Sequence, residues 1–165
     1  MIFFVRALVL AFLSSCATTP IAPTPTATAA LGAHIAGELP TLDGPVYRLS
    51  QLQGQPALVA FWASWCAPCR AELPVFATLA KDYSGKLNVV TISVDEDRWA
   101  ANTFVSGMGL SLVLWDKGGT FADRLKVTDM PTTLLVDRDA VVRFAHVGTL
   151  DENELRAEIE QLQSL

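Results

Sequence analysis

Charge, histidine and cysteine are all scarce in this chain. Charged residues make up 18% of its 165 positions, histidine occurs twice and cysteine three times. No run or stripe of Lys and Arg exists, and 17 acidic residues outnumber 12 basic ones. That balance argues against nucleic acid as a partner. The two histidines, His34 and His146, leave a metal or copper-carrier role with a thin ligand set. No apolar run reaches the roughly 20 residues of a membrane span. Gly118-Gly119 is too short for a phosphate loop and suits a turn. No internal repeat is present, and the length suits one domain with its own core.

What is present begins with a short apolar leader. Met1 to Ser15 carries one basic residue, Arg6, and ends in Leu13-Ser14-Ser15-Cys16. A run of about a dozen apolar residues is too short for a permanent span and fits the core of a secretory signal. The ending resembles the bacterial lipobox, which implies acylation of Cys16 as the first mature residue. Ordinary cleavage nearby, with Cys16 incidental, is the alternative. Loss of Arg6 with the leader takes the net charge from −5 to −6. Residues 16–37, rich in Ala, Thr and Pro, read as an extended tether holding a domain over residues 38–165 off a membrane. His34 falls in that tether and is expected to be inert.

The most specific stretch is Phe61-Trp62-Ala63-Ser64-Trp65-Cys66-Ala67-Pro68-Cys69-Arg70. Two thiols three residues apart share one helix face and close a small, reversible disulfide ring. Cys66 falls at a helix start, where unsatisfied N–H groups favour a thiolate. Pro68 lacks an N–H that a first turn does not use. With Cys16 capped by lipid, Cys66 and Cys69 have only each other, and an oxidising compartment would hold them as a disulfide. No separate cofactor or metal is called for.

Strand and helix signals alternate, which predicts an α/β sandwich. Strands are expected at Tyr47-Arg48-Leu49, Ala57 to Trp62, Leu87 to Val94, and Leu112-Val113-Leu114. A hairpin of Thr132 to Val136 with Val141 to His146 follows. Helices are expected from Cys69 to about Tyr83, kinked at Pro74, and from Asp97 to Ser106 with Trp99 and Phe104 inward. A short one over Thr120 to Leu125 and a terminal one from Asp151 to about Leu162 complete the set. Asp95-Glu96-Asp97 reads as the cap of the second helix rather than a metal cluster. Trp62, Trp99 and Trp115 read as packing residues.

This order, with Met130-Pro131-Thr132 before a late strand, resembles the thioredoxin fold: a mixed sheet flanked by helices, with an N-terminal strand extension. The block from Phe61 to Pro74 is similar to the membrane-tethered TlpA/ResA-like thioredoxins, whose inserted β-α element corresponds to roughly Asp95 to Leu114. The resemblance covers about residues 38 to 164. It implies a thiol-disulfide oxidoreductase with Cys66 as nucleophile, Cys69 as resolving thiol and Glu72 as proton relay. It also implies that Pro131 is cis and faces the dithiol. Met130 would pair with a substrate strand, while Trp65, Ala67 and Pro68 form the docking surface.

The implied partners are disulfide-containing envelope proteins, with an apocytochrome c Cys pair foremost, and a membrane thiol donor of electrons. A monomer anchored through Cys16 on the periplasmic side is expected. Ala17 after the lipobox points to the outer membrane. Two departures stand out. Ala60 replaces the buried acid of thioredoxins proper, and Asp129 replaces a favoured glycine two residues before the cis-proline. Asp129 would disfavour the Cys66 thiolate. A thiol peroxidase, a metal carrier and a non-catalytic docking module stay open as alternatives.

Overall fold

Ala57-Leu58-Val59-Ala60-Phe61-Trp62 contains no polar residue, and a strand of that kind needs cover on both faces. It receives that cover. A computed structural model of the protein describes residues 30–165. Its elements in chain order are β1 (Glu38–Pro40), β2 (Val46–Arg48), β3 (Ala57–Trp62), α1 (Ala67–Asp82), β4 (Asn88–Ser93), α2 (Arg98–Val105), β5 (Val113–Trp115), α3 (Thr120–Arg124), β6 (Thr132–Val136), β7 (Val142–Val147) and α4 (Glu152–Gln163). The leader, Cys16 and residues 17–29 of the tether lie outside the described residues.

Five strands form one mixed sheet in the order β5-β4-β3-β6-β7. β4 runs parallel to β3 and β5, whereas β6 is antiparallel to β3 and β7 to β6. β3 is central, and all six of its residues are buried. Alternation divides them between two cores. Val59 and Phe61 pack with the N-terminal segment and α3, through Ile35, Leu49, Leu52 and Phe121. Leu58, Ala60 and Trp62 face α1, α2 and α4, through Leu73, Phe76, Phe104, Leu155 and Ile159. Trp62 and Phe104 stack at 5.4 Å, and the Arg70 guanidinium lies 4.1 Å over the same Phe104 ring. That column ties β3, α1 and α2 together. The chain has the thioredoxin fold, and β1 with β2 forms its N-terminal strand extension as a separate two-stranded sheet.

Three expectations are corrected. Trp99 does not point inward but is 73% exposed, whereas Ala101 and Phe104 are buried. Phe104 is five positions after Trp99, which at about 100° per residue sets the two about 140° apart around the helix, so they cannot share a face. α1 begins at Ala67, not Cys69, because Cys66 caps it, and it runs through Pro74 without ending. The folded domain also starts earlier than residue 38. Ala30 and Ile35 are buried in the first core, and a backbone bridge pairs His34 with Val141. The Ile35 N–H donates to Ala140 O at 2.8 Å, and the Val142 N–H to Ala33 O at 2.9 Å. Among the described residues no helix is long and apolar enough to cross a membrane.

If residues 30–37 belong to the domain, Ile35→Ala lowers unfolding stability by about 2–4 kcal/mol. Urea unfolding followed by tryptophan fluorescence measures this, and a tether residue would give no change.

Candidate active site

β3 ends at Trp62, and the chain must turn into α1 within four residues. The turn is closed by the Cys66 N–H donating to Ala63 O at 3.0 Å. Cys66 takes an extended conformation as N-cap, and its Sγ accepts the Cys69 N–H at 3.2 Å. A side-chain acceptor at that position satisfies one of the helix's four free donors. The sulfur of Cys66 therefore sits where the helix end favours negative charge. Cys66 and Cys69 are joined by a disulfide with Cα atoms 5.4 Å apart. Cys66 is 4% exposed and Cys69 1%. The surface around them is made by Trp65, 72% exposed, with Ala67 and Pro68.

Two further elements complete the site. The Met130–Pro131 peptide is cis, as the resemblance implied. Among the described residues, neither the N–H nor the carbonyl of Met130 has a backbone partner. The next turn is pinned by the Thr132 hydroxyl, which donates to Asp129 O at 2.7 Å, and by the Gly148 N–H, which donates to Pro131 O at 2.8 Å. Beside the thiols runs a groove of about 380 Å³ lined by Trp65, Val94, Gly118, Ala122, Val127 and Met130. Gly118, with φ of +68°, keeps this groove open at one edge: a Cβ there would meet Glu96 Oε1 at 2.7 Å. Asp129 is exposed and accepts from the Thr128 hydroxyl at 2.8 Å; it does not take the left-handed backbone that a favoured glycine suggests.

Glu72 is on the buried side of α1, three residues past Cys69. Its Oε1 accepts the Leu150 N–H at 2.8 Å, and its Oε2 is buried without a partner. Burial pushes this carboxyl above the ordinary carboxylate range, offset in part by the Leu150 N–H and by positive charge on His146. A carboxyl shifted in this direction keeps its proton to higher pH than an exposed Glu does.

Asp95 is the residue that the sequence reading missed. Asp97 does cap α2, accepting the Trp99 N–H at 2.9 Å. Asp95 instead is buried and turns the other way. Its carboxylate accepts the Ser64 N–H at 2.9 and 3.1 Å, the Ser64 hydroxyl at 2.7 Å and the Ser93 hydroxyl at 2.8 Å. The Trp115 indole donates to the Asp95 carbonyl at 2.7 Å. Asp95 thus clamps the turn two residues before Cys66. Its contact to Ser64 crosses 31 residues, so no local pattern marks it. Asp95→Ala leaves several buried donors unpaired and lowers stability by about 2–3 kcal/mol. The Cys66 alkylation rate at neutral pH falls with it, read by iodoacetamide labelling of the reduced protein, while Asp97→Ala leaves that rate unchanged.

Comparison with known proteins agrees with this geometry. Residues 33–145 match the AhpC/TSA family. The thioredoxin-like protein YneN of Bacillus subtilis is 35% identical over 126 residues, 74% of each chain. The thiol-disulfide oxidoreductase ResA of Geobacillus kaustophilus is 26% identical over 127 residues, 76% of this chain and 73% of that one. A secreted Mycobacterium tuberculosis disulfide oxidoreductase, homologous to E. coli DsbE, superimposes with a TM-score of 0.70 at 28% identity, covering 77% of this chain and 96% of its own. The exposed lipoprotein thioredoxin Etrx1 of Streptococcus pneumoniae gives 0.66 at 27% identity, covering 78% and 100%. With its Cys66–Cys69 pair capping α1, the chain belongs to the AhpC/TSA family and, within it, to the TlpA/ResA-like thiol-disulfide oxidoreductases.

Proposed function

We propose that the protein reduces disulfides in exported proteins of the bacterial envelope, using Cys66 as nucleophile and Cys69 as resolving thiol. The observation that carries this reading is the Cys66 sulfur acting as the N-cap of α1. In the dithiol form the same donor and the helix end stabilise a thiolate at Cys66. That thiolate attacks a client disulfide, and a mixed disulfide forms as one client sulfur departs. Cys69 passes its proton to Glu72 and attacks Cys66. The Cys66–Cys69 bond forms, the bond to the client breaks, and the client's second thiolate takes a proton from water. Two electrons have moved from the dithiol to the client. Exchange of this kind is fastest when the attacking thiol titrates near ambient pH.

Docking follows from the free backbone of Met130 beside Pro131, which offers a donor and an acceptor to an extended client segment. Trp65, Ala67 and Pro68 supply the apolar surface against which that segment rests. Such docking explains how a sulfur only 4% exposed is reached. The pairing of Cys66 with a thiol three residues away supports exchange rather than a peroxidase cycle, which needs only one low-pKa cysteine. Electrons return from a membrane thiol donor, and a Cys pair of an apocytochrome c is the foremost client. Acylation of Cys16 tethers the domain to the periplasmic side of the outer membrane. Mass spectrometry of the mature N-terminus tests this tether, and an unmodified start after Cys16 overturns it.

Cys66→Ser abolishes reduction of insulin disulfides by at least about a hundredfold, as expected when a covalent nucleophile is lost. Cys69→Ser keeps the first attack and accumulates clients covalently held on Cys66. Non-reducing gels and mass spectrometry of periplasmic extracts identify them. Absence of any trapped species, or reduction of a hydroperoxide faster than of insulin by the wild-type protein, counts against the proposal.

A further inference from the structure

The exchange chemistry leaves a pair between a buried histidine and a half-buried carboxylate unused. His146 on β7 is buried, and its Nε2 lies 2.7 Å from Glu158 Oε2 on α4. Glu154, one turn earlier on α4, completes a group whose ligand-type atoms all lie within 4.8 Å of one another. A buried pair of this kind is weak evidence for stability, because desolvation offsets much of the attraction. Its place in the sheet is more informative.

In the strand register Ala60 lies opposite Thr133, and Thr133 opposite His146. Paired residues point to one face of a sheet. Ala60 and Leu135 pack among α1 and α4, and Phe144 packs against the same core. The row Ala60–Thr133–His146 therefore faces the helix that carries Cys69 and Glu72. The Leu150 N–H that holds Glu72 Oε1 belongs to the segment between β7 and α4, so Glu72 is tied to the link between the strand of His146 and the helix of Glu158. Among the described residues, Glu72 Oε2, Thr133 Oγ1, Thr91 Oγ1 and Trp62 Nε1 on this face are buried without partners. An unpaired buried carboxylate oxygen is costly and calls for a functional explanation. The ionisable groups on this side of the sheet are Cys69 and Glu72 from α1, His146 from β7, and the half-buried Glu158 and exposed Glu154 from α4.

We propose that His146, held by Glu158, is a positioning residue for the dithiol: its charge acts through Glu72 to govern when Cys69 gives up its proton. The inference rests on the relay role of Glu72 proposed above. In the resolving step the Cys69 proton goes to Glu72, and the Cys69 sulfur forms its bond to Cys66 as the departing group leaves as a thiolate. Glu72 accepts that proton only as a carboxylate. A positive charge on His146 favours the carboxylate, in the direction already noted for Glu72. Ala60, in place of an acid, leaves the neighbouring stretch of this face without a competing proton acceptor. The pair thereby sets the acid limit of resolution from the far side of Glu72.

The test uses the reduced protein with 5,5′-dithiobis(2-nitrobenzoate). Attack by Cys66 releases one thionitrobenzoate, and attack by Cys69 on the mixed disulfide releases the second. Stopped-flow absorbance follows both phases across the pH range. His146→Gln moves the acid limb of the second phase upward by about one pH unit. Below the limb it slows that phase about tenfold. The first phase keeps its profile, and His146→Lys, which retains a positive charge, restores the second. If the His146→Gln profile superimposes on wild type, the inference is overturned. The same holds if His146→Lys is displaced as far as His146→Gln, since packing and not charge would then be responsible. Glu72→Gln separates the two readings. Persistence of the wild-type limb in that variant overturns the relay and this inference together. Loss of the limb there, with His146→Gln unchanged, overturns the inference alone.

Discussion

One hydrogen bond, from the Cys69 N–H to the Cys66 sulfur at 3.2 Å, joins the fold to the chemistry. A helix that begins immediately after a buried strand must satisfy its first donors within a very short turn. Serine, threonine or aspartate usually does this. Here a sulfur does it, so the atom that completes the secondary structure is also the proposed nucleophile. Everything that fixes the first turn of α1 consequently acts on the thiol. Asp95 fixes it from the segment after β4, through Ser64, and the Arg70–Phe104–Trp62 column fixes it from α2 and β3. The fold does not merely carry the reactive group but sets the field around it.

The distribution of buried acids follows from the same economy of space. Ala60 is small and apolar at the centre of β3, and the carboxyl nearest the dithiol in sequence comes from α1 itself, at Glu72. A carboxyl on the helix keeps a fixed relation to Cys69, one turn away on the same face. Its link to Leu150 also connects the thiols to the start of α4. Glu158 on that helix is pushed above the ordinary carboxylate range by burial, which its contact with His146 partly reverses. The polar groups behind the thiols thus lie on α1, β7 and α4, in place of one acid on the central strand.

Much of this was legible in sequence because the relevant signals are local. The apolar run Ala57 to Trp62, the Cys-x-x-Cys spacing and the Met-Pro-Thr step each occupy adjacent residues. They appear as β3, the capped start of α1 and the cis-Pro131 turn. What was missed depends on partners distant in sequence. Asp95 within Asp95-Glu96-Asp97 reads as a helix cap until Ser64 is brought against it. Ala30 and Ile35 sit in an Ala- and Pro-rich stretch whose composition suggests extended chain, but pairing of Ala33 and Ile35 with the backbone of residues 140–142 draws that stretch into the sandwich. Trp99 was misplaced for a different reason. Its type suggested core, although helical phase relative to Phe104 forbids it.

The exposure of Trp65 takes on meaning when set beside the burial of its neighbour. A large aromatic side chain left 72% exposed next to a sulfur only 4% exposed is the reverse of what stability alone selects. Burial limits access to the disulfide, and Trp65 leaves an aromatic surface beside it. On the docking proposed above, a client segment would pair with the Met130 backbone, which has no backbone partner among the described residues, and rest on Trp65 next to Cys66. A small thiol has no such guide. On that proposal, selectivity for polypeptide disulfides would need no specific side-chain recognition; it would follow from the burial of the Cys66 sulfur and the position of the Met130 backbone.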